Sequence, residues 1–118
     1  MFRKGSEDLM VGRLQAVEVA QAVLENRVGI CEGCRRLAGL AHGIVEDWRV
    51  DPDFVVVGAF ASDSDRFPVG QVRKWWAPTA LEGLDREREE VETKAAPAVM
   101  AACRSIIARL SAAEHADE

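Results

Sequence analysis

Cys31 and Cys34 are the first residues of this chain whose types and spacing suggest chemistry. A Cys-x-x-Cys pair can hold zinc or act as a redox dithiol. Structural zinc takes four ligands, and the sequence offers neither a second such pair nor a closely spaced histidine pair. A redox dithiol normally starts the helix of a strand–helix–strand unit, a pattern that does not precede Cys31. We therefore predict helix-packing roles for these thiols and for Cys103, with no metal and no cofactor.

The acidic turn Asp63-Ser64-Asp65 is a second candidate. Two carboxylates can bind Mg²⁺, but they usually do so beside a phosphate held by a glycine-rich loop, and the sequence contains no such loop. Acidic residues in a turn more often cap backbone N–H groups. His42 falls near a predicted helix end, where a cation interacts well with the helix dipole. We predict no catalytic residue and no enzyme; a small metal-dependent enzyme or metal-binding protein using these side chains is the alternative.

Trp75 and Trp76 are adjacent, in a stretch that holds most of the aromatic residues. Neighbouring side chains on a helix point about 100° apart, so we expect one indole in the core and the other partly exposed. Tryptophan and arginine are enriched at interface hot spots. We predict a partner-binding surface made of Asp63, Asp65, Phe67, Arg73, Trp75 and Trp76. Packing of both indoles over the core is the alternative interpretation.

The net charge of −5, from 20 acidic and 15 basic residues, disfavours nucleic acid, whose binding needs clustered Lys and Arg. It suits a basic protein partner. No secretory signal follows Met1, and no apolar run approaches the roughly 20 residues that span a bilayer. We therefore predict a cytoplasmic protein, a monomer or homodimer, that binds a protein and neither nucleic acid nor membrane.

The elements that would position these residues are helices. Ser6 is a good N-cap, and apolar residues at three- and four-residue spacing predict a helix to about residue 26. A second helix is predicted from Ile30 to about residue 44, antiparallel to the first. Its Gly33, Gly39 and Gly43 lower helix propensity and are expected to allow close packing against the first helix.

Asp51-Pro52 is a strong helix start, an N-cap followed by proline at the first helical position. The β-branched run that follows suits a strand, so residues 55–61 are helical or extended; we favour a short helix to about Ala61. A turn at residues 63–66 and a second short helix from Phe67 complete the middle of the chain. That helix should bury Val69, Val72 and one tryptophan and end at Pro78.

A long final helix is predicted from a capping box, Thr79 with Glu82, to about Leu110. Pro97 removes one backbone hydrogen bond and should kink this helix near Thr93. Together, these elements predict a single all-α domain over residues 1–118. It is a compact bundle with an N-terminal helical hairpin, short central helices and a long Pro-kinked C-terminal helix, frayed at residues 1–5 and 111–118.

Several strings resemble those of small bacterial proteins of unknown function. They are Gly29 to Leu37 (GICEGCRRL), Asp51 to Phe54 (DPDF), Pro68 to Trp76 (PVGQVRKWW) and Ala102-Cys103-Arg104. The stretch from Ser64 to Trp75 is also similar to the small acidic helical immunity proteins that neutralise bacterial nuclease toxins. It lacks the tyrosine pair that those proteins present to their targets.

Three hypotheses for the function follow. The first, which we favour, is a non-catalytic protein-binding protein, with toxin neutralisation as one instance. The second is the small metal-dependent enzyme or metal-binding protein. The third is a structural or regulatory homodimer, formed through apolar surface on the first or last helix.

Overall fold

A computed structural model describes residues 6–116 of the chain, and the side chains of residues 7–112. Over this range the chain is helical, with turns between the helices and no β-strand. In chain order the elements are α1 (Ser6–Leu24), α2 (Ile30–Ala41), a first 3-10 helix (Trp48–Val50), α3 (Phe54–Asp63), a second 3-10 helix (Gly70–Trp75) and α4 (Pro78–Ala116). The predicted all-α fold is confirmed. The fraying predicted at residues 1–5 lies outside the described residues.

Helices α1 and α2 form the predicted hairpin. Asn26 has a positive φ of 59°, a left-handed conformation that asparagine tolerates, and α1 ends two residues before it. A side chain at Gly33 would place its Cβ 2.2 Å from Val23, so this glycine allows the close approach that was predicted. The same prediction is wrong for Gly39, where an added Cβ meets nothing within 4 Å. Helix α2 also ends at Ala41, three residues early, so Gly43 lies in the following turn.

Helix α3 settles the helix-or-strand alternative in favour of a helix. The carboxylate of Asp51 accepts hydrogen bonds from the backbone N–H groups of Asp53 (3.0 Å) and Phe54 (2.9 Å), and so caps the first turn. Its apolar face is buried as predicted, with Phe54, Val57 and Ala61 in the core. Helix α3 packs closely on Trp48 at Gly58, because a Cβ atom added at Gly58 would lie 2.7 Å from the Trp48 ring.

Helix α4 spans the molecule and supplies one wall of the core. It begins at Pro78, where the N–H of Leu81 bonds to the carbonyl of Ala77 (3.1 Å). Thr79 therefore lies in the first turn instead of acting as the cap, because proline suits the first helical position. The helix continues through Pro97 to Ala116, six residues beyond the predicted end. Its predicted core face, Val99, Cys103, Ile106 and Leu110, is buried.

The second half of α4 bears on the expectation that no apolar run is long enough to span a bilayer. By length and composition alone, it contains an 18-residue stretch with a mean hydropathy of 1.2, which is sufficient to cross a membrane. In the fold this helix packs on α1, α2 and α3 through the four core residues just named. Only 28% of that stretch is buried, so core packing covers one face of the helix and leaves the other residues half-buried or exposed.

Candidate functional site

The segment from residue 64 to residue 77, which we call the strap, joins α3 to α4 and carries both candidate tryptophans. Its start is held by α2. The guanidinium of Arg35 donates to the backbone carbonyls of Ser64 and Phe67, the latter at 2.7 Å. The Phe67 side chain is fully buried, and Arg66 stacks over its ring at 4.2 Å. The strap therefore begins from an anchored position in the core.

A second anchor holds the far half of the strap to α4. Arg73 makes a bidentate ion pair with Asp85, at 2.7 and 2.8 Å, and also donates to the carbonyl of Pro68 (3.2 Å). Hydrogen bonding from Arg73 lowers the pKa of Asp85 below its ordinary value. A planar guanidinium that meets both carboxylate oxygens fixes direction as well as distance. The backbone of the second 3-10 helix is thus oriented relative to α4.

Asp85 also belongs to a longer chain of charges. Arg88 approaches Asp85 at 3.5 Å and Glu92 at 3.1 Å along α4. The mostly buried carboxylate of Glu92 accepts a hydrogen bond from the backbone N–H of Cys31 (2.9 Å), in the first turn of α2. A carboxylate at that end of a helix is favoured by the helix dipole. The strap, α4 and the start of α2 are therefore connected through alternating charges.

Gly70 sets the turn between the two anchors. Its φ of +69° lies in the left-handed region, which glycine adopts without strain. An added Cβ would also lie 3.0 Å from a carboxylate oxygen of Glu32. Both facts favour glycine at the point where the strap turns into its 3-10 helix.

Three apolar side chains of the strap lie outside the core, and we call them the tryptophan patch: Val72, Trp75 and Trp76. Their exposed fractions are 51%, 80% and 43%. The prediction that Val72 and one tryptophan are buried is therefore wrong. The segment is a 3-10 helix instead of an α-helix, and Phe67 is the large apolar side chain of the strap that is buried. The ammonium of Lys74 lies 5.3 Å from the Trp75 ring centre, within cation–π range.

The structure places the six residues predicted to bind a partner in different environments. Asp63 and Asp65 are exposed, at the end of α3 and in the turn after it, and both tryptophans are exposed. Phe67 is buried and cannot contact a partner. Arg73 is half-buried and engaged with Asp85, so its role is to position the strap.

Sequence reasoning missed three residues of this site. Val72 was placed in the core because its spacing fitted an α-helix. Asp85 and Arg35 are not among the site residues that the sequence predicts. Asp85 contacts a residue 12 positions away in the chain, and Arg35 contacts residues 29 or more positions away. Helical periodicity in a sequence gives no information about such distant contacts.

The cysteines are buried, as predicted. Burial raises the pKa of the Cys34 thiol to about 12 and that of Cys103 to about 11, and it also raises the pKa of Cys31. These thiols are protonated at neutral pH and weakly nucleophilic. His42 is exposed just after the end of α2. Among the described side chains, residues 7–112, no three His, Cys, Asp or Glu are grouped to hold a metal ion.

A second cluster of charges lies beside the core, away from the strap. Arg109 of α4 pairs with Asp51 at 2.7 Å and with Asp53 at 2.6 Å, and Ser105 donates to Asp53 at 2.7 Å. Hydrogen bonding from Arg109 lowers the pKa of Asp51 to about 2. Both carboxylates are buried and both already have partners. This cluster fastens the start of α3 to α4.

Comparison with known proteins identifies a family. A family model described as "Protein of unknown function (DUF2489)" matches residues 14–106. That range covers α2, α3, the strap and most of α1, so the chain belongs to this family. Searches of curated proteins and of solved structures returned no match.

Proposed function

We propose that this chain is a non-catalytic, cytoplasmic protein-binding protein and that the tryptophan patch is its contact surface. The observation that carries the proposal is the exposure of two adjacent indoles, 80% for Trp75 and 43% for Trp76, on an anchored segment. Large aromatic side chains normally contribute to the core of a small domain. Their exposure here is explained by contact with another molecule.

The anchoring of the strap supports this proposal. Ordering of flexible loops and side chains is a large cost of association, and a surface already fixed in the free protein avoids much of it. Arg73 with Asp85, and Arg35 with the carbonyls of Ser64 and Phe67, hold the backbone on both sides of Gly70. Tryptophan itself has two side-chain torsions, so little further entropy is lost on binding.

Exposed carboxylates near the strap support a basic partner, and the cation beside the patch itself is Lys74, 5.3 Å from the Trp75 ring centre. Asp63 at the end of α3 and Asp65 in the strap are exposed, and Glu87 is exposed on α4, where Arg66 approaches it at 3.4 Å. The chain carries a net charge of −5. A partner with an apolar centre and a rim of Lys or Arg would be steered to this side of the molecule. Neutralisation of a basic toxin is one specific form of the proposal, supported by the sequence likeness of the strap.

Affinity capture from the native host with matched variants tests the proposal. The test variant is Trp75→Ala with Trp76→Ala. The control is Val50→Ala, because Val50 is also 80% exposed but belongs to the first 3-10 helix. Circular dichroism confirms that all three baits are folded before capture.

We expect a protein that is retained by wild type and by Val50→Ala and lost with the double variant. Titration of that protein, once purified, should show an affinity loss of about a hundredfold or more in the double variant, as for hot-spot tryptophans. Capture that is equal with all three baits, or a captured protein that binds the double variant normally, would refute the proposal.

A further inference from the structure

A cavity between the end of α3 and the middle of α4 has the composition of a small-molecule site, and we propose that it binds a free α-amino acid with a large apolar side chain. The cavity has a volume of about 350 Å³ and is lined by Phe60, Asp63, Ser64, Val91, Lys94 and Ala95. Small-molecule sites are mostly apolar concave surfaces of this size with a few polar groups. The lining residues are separate from the tryptophan patch.

The two helices line this cavity with the same spacing. Each supplies an apolar residue, a charged residue three positions later and a small residue directly after it: Phe60, Asp63 and Ser64 at the end of α3, and Val91, Lys94 and Ala95 on α4. Residues three and four positions apart lie on one face of a helix. The small residues leave the space open, and each helix contributes one charge to it.

The floor of the cavity is apolar. Phe60 and Val91 are half-buried, so part of each side chain remains available to a ligand. The hydroxyl of Ser64 donates to the carbonyl of Phe60 (2.6 Å), and the carbonyl of Ser64 accepts from Arg35. Ser64 therefore has no free donor to offer. Such a floor suits an apolar side chain, because contact removes apolar surface from water on both sides.

The two charged residues of the cavity are available for binding. Asp63 and Lys94 are exposed, and neither side chain makes an ion pair or hydrogen bond with any other described residue. Asp63 is also the last residue of α3, where the helix dipole disfavours a carboxylate. Its placement does not stabilise the helix, so a role in binding accounts for it better than a role in folding.

A free α-amino acid matches this combination of groups. Its ammonium and carboxylate are adjacent at one end of the molecule, where Asp63 can accept from the ammonium and Lys94 can donate to the carboxylate. Hydrogen bonds between charged groups are stronger than those between neutral ones. Its apolar side chain then lies on Phe60 and Val91. A simple amine or a fatty acid would use only one of the two charges and leave the other unpaired.

An NMR titration of the ¹⁵N-labelled full chain tests the ligand class, with L-leucine and L-phenylalanine as probes. We expect saturable shifts of the backbone amides of residues 60–64 and 91–95, with a dissociation constant below about 1 mM for at least one probe. N-acetyl-L-leucine and L-leucine amide each lack one charge and should bind at least about tenfold more weakly than L-leucine. No saturable shift with either probe up to about 10 mM, or equal binding of the derivatives, overturns the proposal.

Matched variants test the site. Asp63→Asn and Lys94→Gln should each raise the dissociation constant of the bound probe at least about tenfold. The controls are Asp65→Asn and Arg86→Gln, which remove exposed charges that do not line the cavity and should leave it unchanged. All four side chains are exposed, so each variant should fold, and its amide spectrum shows whether it does. Unchanged affinity in both test variants, or an equal loss in all four, overturns the assignment.

Discussion

Two aspartate–arginine clusters tie distant segments to α4, and they differ in what they support. Asp51 and Asp53 pair with Arg109 beside buried core residues, and Asp51 also caps α3. Asp85 pairs with Arg73 under a strap whose tryptophans face outward. The chemistry is the same at both places. The first cluster stabilises the fold, and the second orients a surface that contributes little to the fold.

The charged residues near the core are poor candidates for a binding site, because they are already paired with one another. Both carboxylates of the first cluster are buried, and their hydrogen-bonding capacity is used by Arg109, Ser105 and the start of α3. At the second cluster the side chains that remain available are the apolar ones beside it. Substitutions at the two clusters should therefore separate stability from binding.

The largest effect is expected for Asp51→Ala. The change removes the cap of α3 and leaves Arg109 with one carboxylate partner instead of two. We expect the free energy of unfolding to fall by about 2 kcal/mol, as for a helix cap combined with an ion pair whose Arg109 side chain is 41% exposed. Urea denaturation of wild type and variant measures this change in the free energy of unfolding. A loss near zero would show that the first cluster does not stabilise the fold.

Acid should weaken the first cluster over a defined pH range. Because the pKa of Asp51 is lowered from 3.8 to about 2 in the folded chain, its contribution is complete above the unfolded value and is lost as pH falls toward the folded one. The stability difference between wild type and Asp51→Asn should therefore shrink by about 2 kcal/mol between about pH 4 and pH 2. A constant difference over that range would contradict the assignment, since other carboxylates cancel in the comparison.

Arg73→Lys should loosen the strap without unfolding the protein. A lysine ammonium cannot reproduce the bidentate contact with Asp85. We expect backbone hydrogen exchange at residues 70–76 to become several-fold faster, including the N–H of Trp76, which bonds to the carbonyl of Arg73 (3.1 Å). Exchange in α3 should not change and serves as the internal control. Faster exchange throughout the chain would mean that the second cluster also supports the core.

The smallest effect on stability is expected for Trp75→Ala. Its side chain is 80% exposed, so its truncation should change the free energy of unfolding by no more than about 0.5 kcal/mol. Denaturation measured beside Val50→Ala provides the comparison. A loss of several kcal/mol would place the indole in the core and remove the basis of the tryptophan patch.

Local signals predicted much of the fold. Asp51-Pro52 marks the start of α3 within a few residues of sequence, and the core face of α4 follows from three- and four-residue spacing. The same signals could not identify Arg109 as the partner of Asp51, 58 positions away. Pairings of that kind depend on how whole helices pack.

The strap shows why the site was harder to predict. Its residues fit an α-helical pattern that would bury Val72 and one indole, but the segment after the turn at Gly70 is a 3-10 helix, and the buried aromatic residue of the strap is Phe67. Contacts of Arg35, Arg73 and Asp85 join α2, the strap and α4 in the structure that leaves both tryptophans exposed. Single-sequence periodicity contains no information about such contacts.

The most direct test of the tryptophan patch is an NMR titration of the isotopically labelled chain with the captured partner. The indole N–H signals of Trp75, Trp76 and Trp48 report separately, and Trp48 belongs to the first 3-10 helix and packs on Gly58 of α3. We predict that the signals of Trp75 and Trp76 shift or broaden as the complex forms, while that of Trp48 stays in place. Saturation of binding with both strap signals unchanged would contradict the account.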